Sequence, residues 1–182
     1  MVEAKDAGDS PVVAEVTSQS TESIVALAGH PIHAMLVHFP IAFTFGVLAC
    51  DLIYWWNGDP FWARAALWLL GAAFLAAVGA GLAGLAELLL VGGIRTRVAS
   101  WTHGVVAVML TAALGANWGL RLTDAGAVLP QGLGLSVLCA VLTGIAGWHG
   151  GRLIFDHGIG LMAPEEDEED DPGSSSEAHP AR

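Results

Sequence analysis

Four apolar runs, each about as long as a bilayer is thick, leave few folds open to this sequence. A membrane-spanning helix needs about 20 mostly apolar residues, and the runs cover approximately residues 36–56, 61–91, 101–122 and 130–153. Turn chemistry separates them. Asn57-Gly58 closes the first run, and Asp59-Pro60 supplies a cap and a first-turn proline for the second. Gly92-Gly93 ends the second run, Ser100 is the expected cap of the third, and Pro130 opens the fourth. Lipid offers no hydrogen bonds to a bare backbone, so each run must be helical. With links this short, the expected fold is all-α: a polytopic, up-down-up-down four-helix transmembrane bundle with both termini on one side.

The charge distribution supports the same division. The net charge of -11 falls entirely in the tails. Residues 1–28 carry Glu3, Asp6, Asp9, Glu15 and Glu22 against Lys5, and residues 164–182 carry the acidic run Glu165 to Asp171. Both tails read as disordered, because such segments repel themselves and bury nothing. The transmembrane domain, 29–163, is neutral: Asp51, Asp59, Glu87, Asp124 and Asp156 balance Arg64, Arg95, Arg97, Arg121 and Arg152. It has no basic patch for nucleic acid. Cys50 and Cys139 stand alone, with neither a CxxC motif nor a CxxCH haem-attachment motif. Residues 1–28 lack the basic start and apolar run of a signal peptide, so the first span is expected to be retained.

Three arginines on the tail side (Arg95, Arg97, Arg152) against Arg64 and Arg121 opposite predict cytoplasmic N- and C-termini. Tyr54, Trp55, Trp56, Trp62 and Trp118 are expected to line the far surface, and Trp101 and Trp148 the tail side. Rows of small residues would let the spans pack closely. They are Ala72, Ala76, Ala80 and Gly84 in the second span, Ala107, Thr111, Gly115 and Gly119 in the third, and Gly132, Ser136, Ala140 and Gly144 in the fourth.

Histidine placement is the functional signal. In this topology His30, His33, His38, His103, His149 and His157 all fall on the tail side. Imidazole ligates transition metals and b-type haem, and bundles build such sites from facing helices. The bland reading is that these histidines cap helices and contact lipid headgroups. Helix phase sorts them. His38 leads a small-residue row through Ala42 and Gly46, and His103 leads one through Ala107 and Thr111, so both should face neighbours. His33 leads into Val37, Ile41 and Phe45, and His149 follows Val141 and Ile145. Both rows are bulky and suit lipid. His38 and His103 are therefore the preferred cofactor ligands, with His30 and His157 next. A metal ion would draw on His38, His103, His30, His33 and Glu87. Glu87 reads first as the partner of Arg95 or Arg97, and second as a ligand or a carboxylate orienting a histidine. Asp51 and Asp124 read as interfacial polar residues.

The segment Gly29-His30-Pro31-Ile32-His33-Ala34-Met35-Leu36-Val37-His38-Phe39-Pro40-Ile41-Ala42 resembles the opening signature of the bacterial membrane family called domain of unknown function 2231. Gly147-Trp148-His149-Gly150-Gly151 with His157-Gly158-Ile159-Gly160 is similar to its closing signature, and His103 matches the histidine expected early in its third span. The sequence departs from the pattern at Ala34, where the family commonly has proline, and at His149, where it usually has an apolar residue. The resemblance implies a four-span protein of the bacterial inner membrane, and the family's association with redox domains implies electron transfer. The resulting expectation is a membrane subunit binding one haem b or another redox metal, exchanging electrons with a partner protein or quinone. The rivals are a site for zinc, copper or nickel used in sensing, and a cofactor-free scaffold. The lipid bilayer is the first partner, and a homo-oligomer is compatible with the sequence.

Overall fold

The structure, a computed structural model, describes Ala26–Leu27 and His30–Phe155. The C-terminal acidic tail, most of the N-terminal tail and His157 lie outside the described residues. Two two-residue strands, β1 (Ala26–Leu27) and β2 (His30–Pro31), pair antiparallel ahead of the helices. The helices follow as α1 (Ile32–Leu36), α2 (His38–Asn57), α3 (Pro60–Leu90), α4 (Gly92–Arg95), α5 (Val98–Thr123) and α6 (Gln131–Phe155). A 3-10 turn, Ala125–Val128, links α5 to α6. Among the described residues four helical stretches are long and apolar enough to cross a membrane: Ile32–Asn57, Pro60–Leu90, Val98–Thr123 and Gln131–Ile154.

The helix ends follow local chemistry. Gly58 closes α2 at φ 70°, a left-handed conformation that glycine adopts without steric cost, and its N–H donates to the Tyr54 carbonyl at 2.8 Å. One residue on, the Asp59 carboxylate accepts from the Phe61 N–H at 2.9 Å, with Pro60 in the first turn of α3. The third span differs from expectation. It starts at Val98 with Arg97 in the cap position, and Ser100 is buried inside the helix rather than capping it. The first span also differs, being broken into α1 and α2 at Val37. Pro40 has no N–H to offer the Leu36 carbonyl, so the helical ladder lacks one bond there, although Val37 keeps right-handed helical geometry and its N–H still donates to the His33 carbonyl at 3.1 Å.

Helix α2 packs on α3 and α6, and α5 packs on the same two, closing a four-helix ring. The core between them contains Val47 and Cys50 of α2, Ala66, Leu70, Ala73 and Ala77 of α3, Leu110 and Leu114 of α5, and Cys139 and Leu142 of α6. On α3 the inward row is thus Ala66, Leu70, Ala73, Ala77 and Ala80, rather than the row through Ala72 and Ala76. Alternating steps of three and four residues keep one face inward, whereas steps of four alone drift around the helix. The outer surface is apolar: Trp68 is 80% and Val108 70% exposed. In water so continuous an apolar exterior would drive association, and in lipid it is the solvated face. Trp118 packs against the bundle. A Cβ on Gly71 would be 3.1 Å from its ring, and Phe74 packs beside it with ring centroids 5.9 Å apart.

Candidate functional site

Polar residues enter the bundle at both ends of the core. One helix shows the plan: Ser100, His103, Ala107, Leu110, Leu114, Asn117 and Arg121 follow one another at three- or four-residue steps along α5. At 1.5 Å per residue, His103 and Arg121 are about 27 Å apart along the axis. That distance is close to the roughly 30 Å thickness of a bilayer's hydrocarbon core.

At the far end Arg121 and Asp51 form a two-pronged ion pair, with Nη1 to Oδ1 at 2.6 Å and Nη2 to Oδ2 at 2.7 Å. Both are buried, at 4% and 0% exposure, so the expectation of an interfacial Asp51 is corrected. Burial is affordable only because the remaining polar atoms are also paired. The Arg121 Nε–H donates to Asn117 Oδ1 at 3.0 Å. Asn117 Nδ2 donates to Ser136 Oγ at 3.0 Å and to the Gly132 carbonyl at 3.3 Å. The Ser136 hydroxyl lies 2.6 Å from Asp51 Oδ2, which accepts from it. Gly132 is needed for this approach, since a Cβ there would lie 2.7 Å from the Ala127 carbonyl and 2.8 Å from the guanidinium. The network ties α2, α5 and α6 together and is internally satisfied, which identifies it as a structural clamp.

At the tail-side end the structure brings His33 and His103 together, with ring centroids 6.1 Å apart and planes at 85°. Each ring is held through Nδ1 by a carbonyl of a neighbouring span. His33 Nδ1 is 2.8 Å from the Ala80 carbonyl on α3, and His103 Nδ1 is 3.1 Å from the Ala146 carbonyl on α6. A carbonyl only accepts, so Nδ1 carries the proton in both rings and the lone pair is left on Nε2. Glycines make room for the rings. A Cβ on Gly84 would lie 2.8 Å from His33 Nδ1, and one on Gly150 would lie 3.3 Å from His103 Cε1. One turn from His103, the Ser100 hydroxyl is, among the described residues, the buried side-chain polar atom without a hydrogen-bond partner.

Other expected site residues are placed differently. His38 is exposed, its Nδ1 3.3 Å from the Met35 carbonyl of its own segment. The phase reading that pointed His38 inward and His33 toward lipid is therefore reversed. For His33 the row was extrapolated across Val37; for His38 the row of small residues is itself on the outer side, Ala42 being exposed while the buried face of α2 runs through Pro40, Thr44, Val47 and Asp51. His30 sits on β2, three residues before His33, and His157 is outside the described residues. Glu87 is 8% exposed and is engaged by a polar interaction. It continues the α3 face that carries Ala80 and Gly84. Arg95, one of its two expected partners, turns to the Leu89 carbonyl at 3.3 Å. Among the described residues no three of His, Cys, Asp and Glu gather into a group fit to hold a metal ion.

No curated protein and no solved structure matches the chain. A family described as "Predicted membrane protein (DUF2231)" matches residues 29–163. That stretch contains the described bundle except for Ala26–Leu27, together with both histidine-bearing signatures. The chain belongs to this family of membrane proteins.

Proposed function

We propose that this multi-pass membrane protein is an electron-transfer subunit in which His33 and His103 would hold one b-type haem at the tail-side face. The observation carrying the reading is the His33–His103 pair, each Nδ1 held by a backbone carbonyl and each Nε2 left as a lone-pair donor. Ligating histidines are oriented in this way, by a hydrogen bond from the other ring nitrogen. Two imidazoles bonded to one metal at about 2.0–2.1 Å hold their ring centroids roughly 5–6.5 Å apart, depending on the angle at the metal. The observed separation is 6.1 Å.

Ligand number favours haem over a bare ion. Zinc sites draw three or four ligands from the protein. A haem supplies its own equatorial nitrogens and needs only axial ligands from the protein. The buried Ser100 hydroxyl, closer to the tail-side surface than His103, is a donor available to a carboxylate at that depth. Bound haem would supply one-electron chemistry, and the protein would fix its position and exclude water. No comparable pair of described histidines occupies the far end, so electrons would enter and leave on the tail side through a redox partner protein or a quinone.

Absorption spectroscopy with metal analysis of detergent-purified protein tests this. The expected result is a Soret band that shifts on reduction, with about one iron per chain. A colourless preparation carrying stoichiometric zinc, copper or nickel would replace haem with a non-redox metal. A colourless, metal-free preparation from haem-replete cells would remove the cofactor altogether.

A further inference from the structure

A groove of about 170 Å³ lies between the start of α5 and the end of α6, lined by Val98, Ala99, Thr102, His149 and Arg152 and therefore next in sequence to His103 on one side and to Gly150 on the other. Its chemistry is mixed in a particular order. At the level of the tail-side helix ends it presents a guanidinium, an imidazole and a hydroxyl. His149 and Arg152 are three residues apart, so both lie on one face of α6. Arg152 is exposed and already takes part in an interaction within the chain. Its five N–H donors allow it to serve a second acceptor as well.

Deeper in the membrane the same two helix faces become apolar and open to lipid. On α5 the face continues through Val105 and Val108, 57% and 70% exposed. On α6 it continues through Ile145 and Val141, 41% and 53% exposed. Exposed tryptophans flank the polar part: Trp101 on α5 and Trp148 on α6. Tryptophan marks the headgroup level of a bilayer, which sets the depth of the cationic groups. A ligand matching this arrangement carries a negative charge at headgroup depth and hydrocarbon below it.

We infer that this groove binds the phosphate of an anionic phospholipid, with Arg152 and His149 at the phosphate and the acyl chains along the α5–α6 seam. Inorganic phosphate shares the headgroup chemistry but lacks the acyl contacts, which separates the two sources. Native mass spectrometry of the full chain tests this, after incubation in detergent with dioleoyl phosphatidylglycerol or dioleoyl phosphatidylcholine. The wild type is expected to retain phosphatidylglycerol preferentially. Arg152→Gln should lower that retention about tenfold, the scale of one charge-assisted contact, and Arg152→Lys should restore most of it. Excess inorganic phosphate should leave the lipid bound. Should Arg152→Gln fail to fold, as judged by circular dichroism, the Thr102→Val/His149→Ala double variant carries the same expectation. Equal retention of the two lipids, wild-type retention by the folded groove variants, or ready displacement by inorganic phosphate would overturn the assignment. None of these outcomes depends on whether haem is bound.

Discussion

Arg121→Leu is expected to destabilise the protein by about 3–5 kcal/mol, the usual effect of leaving one member of a buried ion pair without its partner. The Asp51 carboxylate is 0% exposed and receives two of its three hydrogen bonds, and its only ion pair among the described residues, from the guanidinium. After the substitution only the Ser136 hydroxyl still reaches it. Water cannot replace the loss, because the site lies within the span and an unpaired charge there is costly. A double variant, Asp51→Leu/Arg121→Met, is expected to recover most of the stability, since a well-packed apolar pair often matches a buried ion pair. Ser136 and Asn117 would retain the Gly132 carbonyl as acceptor. Thermal unfolding in detergent, followed by circular dichroism, checks both expectations. A single variant that melts with the wild type would show that the clamp contributes little to the fold.

Gly84→Ala is expected to do the reverse, sparing the fold and removing the site. The new Cβ would sit 2.8 Å from His33 Nδ1, and the atom in its way belongs to a side chain on the five-residue α1. The ring can swing aside without parting the long helices, so overpacking should cost less than its usual 1–3 kcal/mol, roughly. Alanine's better helix propensity returns up to about 1 kcal/mol. Once displaced, the ring loses the Ala80 carbonyl and its place beside His103. Haem content is expected to fall at least about tenfold, one axial bond being lost, while the melting temperature stays near that of the wild type. Gly79→Ala, which meets nothing within 4 Å, is the matched control and should keep both properties. Equal haem content in the two variants would contradict the placement of His33.

These two ends of the bundle differ in how far the sequence discloses them. The spans are legible because apolar length and turn chemistry are local properties, as Asn57-Gly58-Asp59-Pro60 illustrates. The clamp is not local. Asp51 and Arg121 are 70 residues apart, and their meeting depends on the register between α2 and α5. A signal was nevertheless present, since an acid and a base lay inside apolar runs near the same membrane surface, and such charges are normally paired. The tail-side site was half legible. His103 lies in an unbroken helix, so its phase could be extrapolated and did point inward. His33 lies on α1, before the interruption at Val37, so its phase relative to α2 could not be read from spacing. The two carbonyls that orient the rings, on Ala80 and Ala146, have no side-chain signature. Gly84 and Gly150 stand out only once the rings beside them are seen.

The central claim is that His33, rather than His38, partners His103 in holding the cofactor. Three single variants read by one measurement, the reduced-minus-oxidised absorption spectrum per folded protein, test it most directly. The account predicts that His33→Ala and His103→Ala lose the wild-type signal while His38→Ala keeps it in full. A signal abolished by His38→Ala and untouched by His33→Ala would contradict the account.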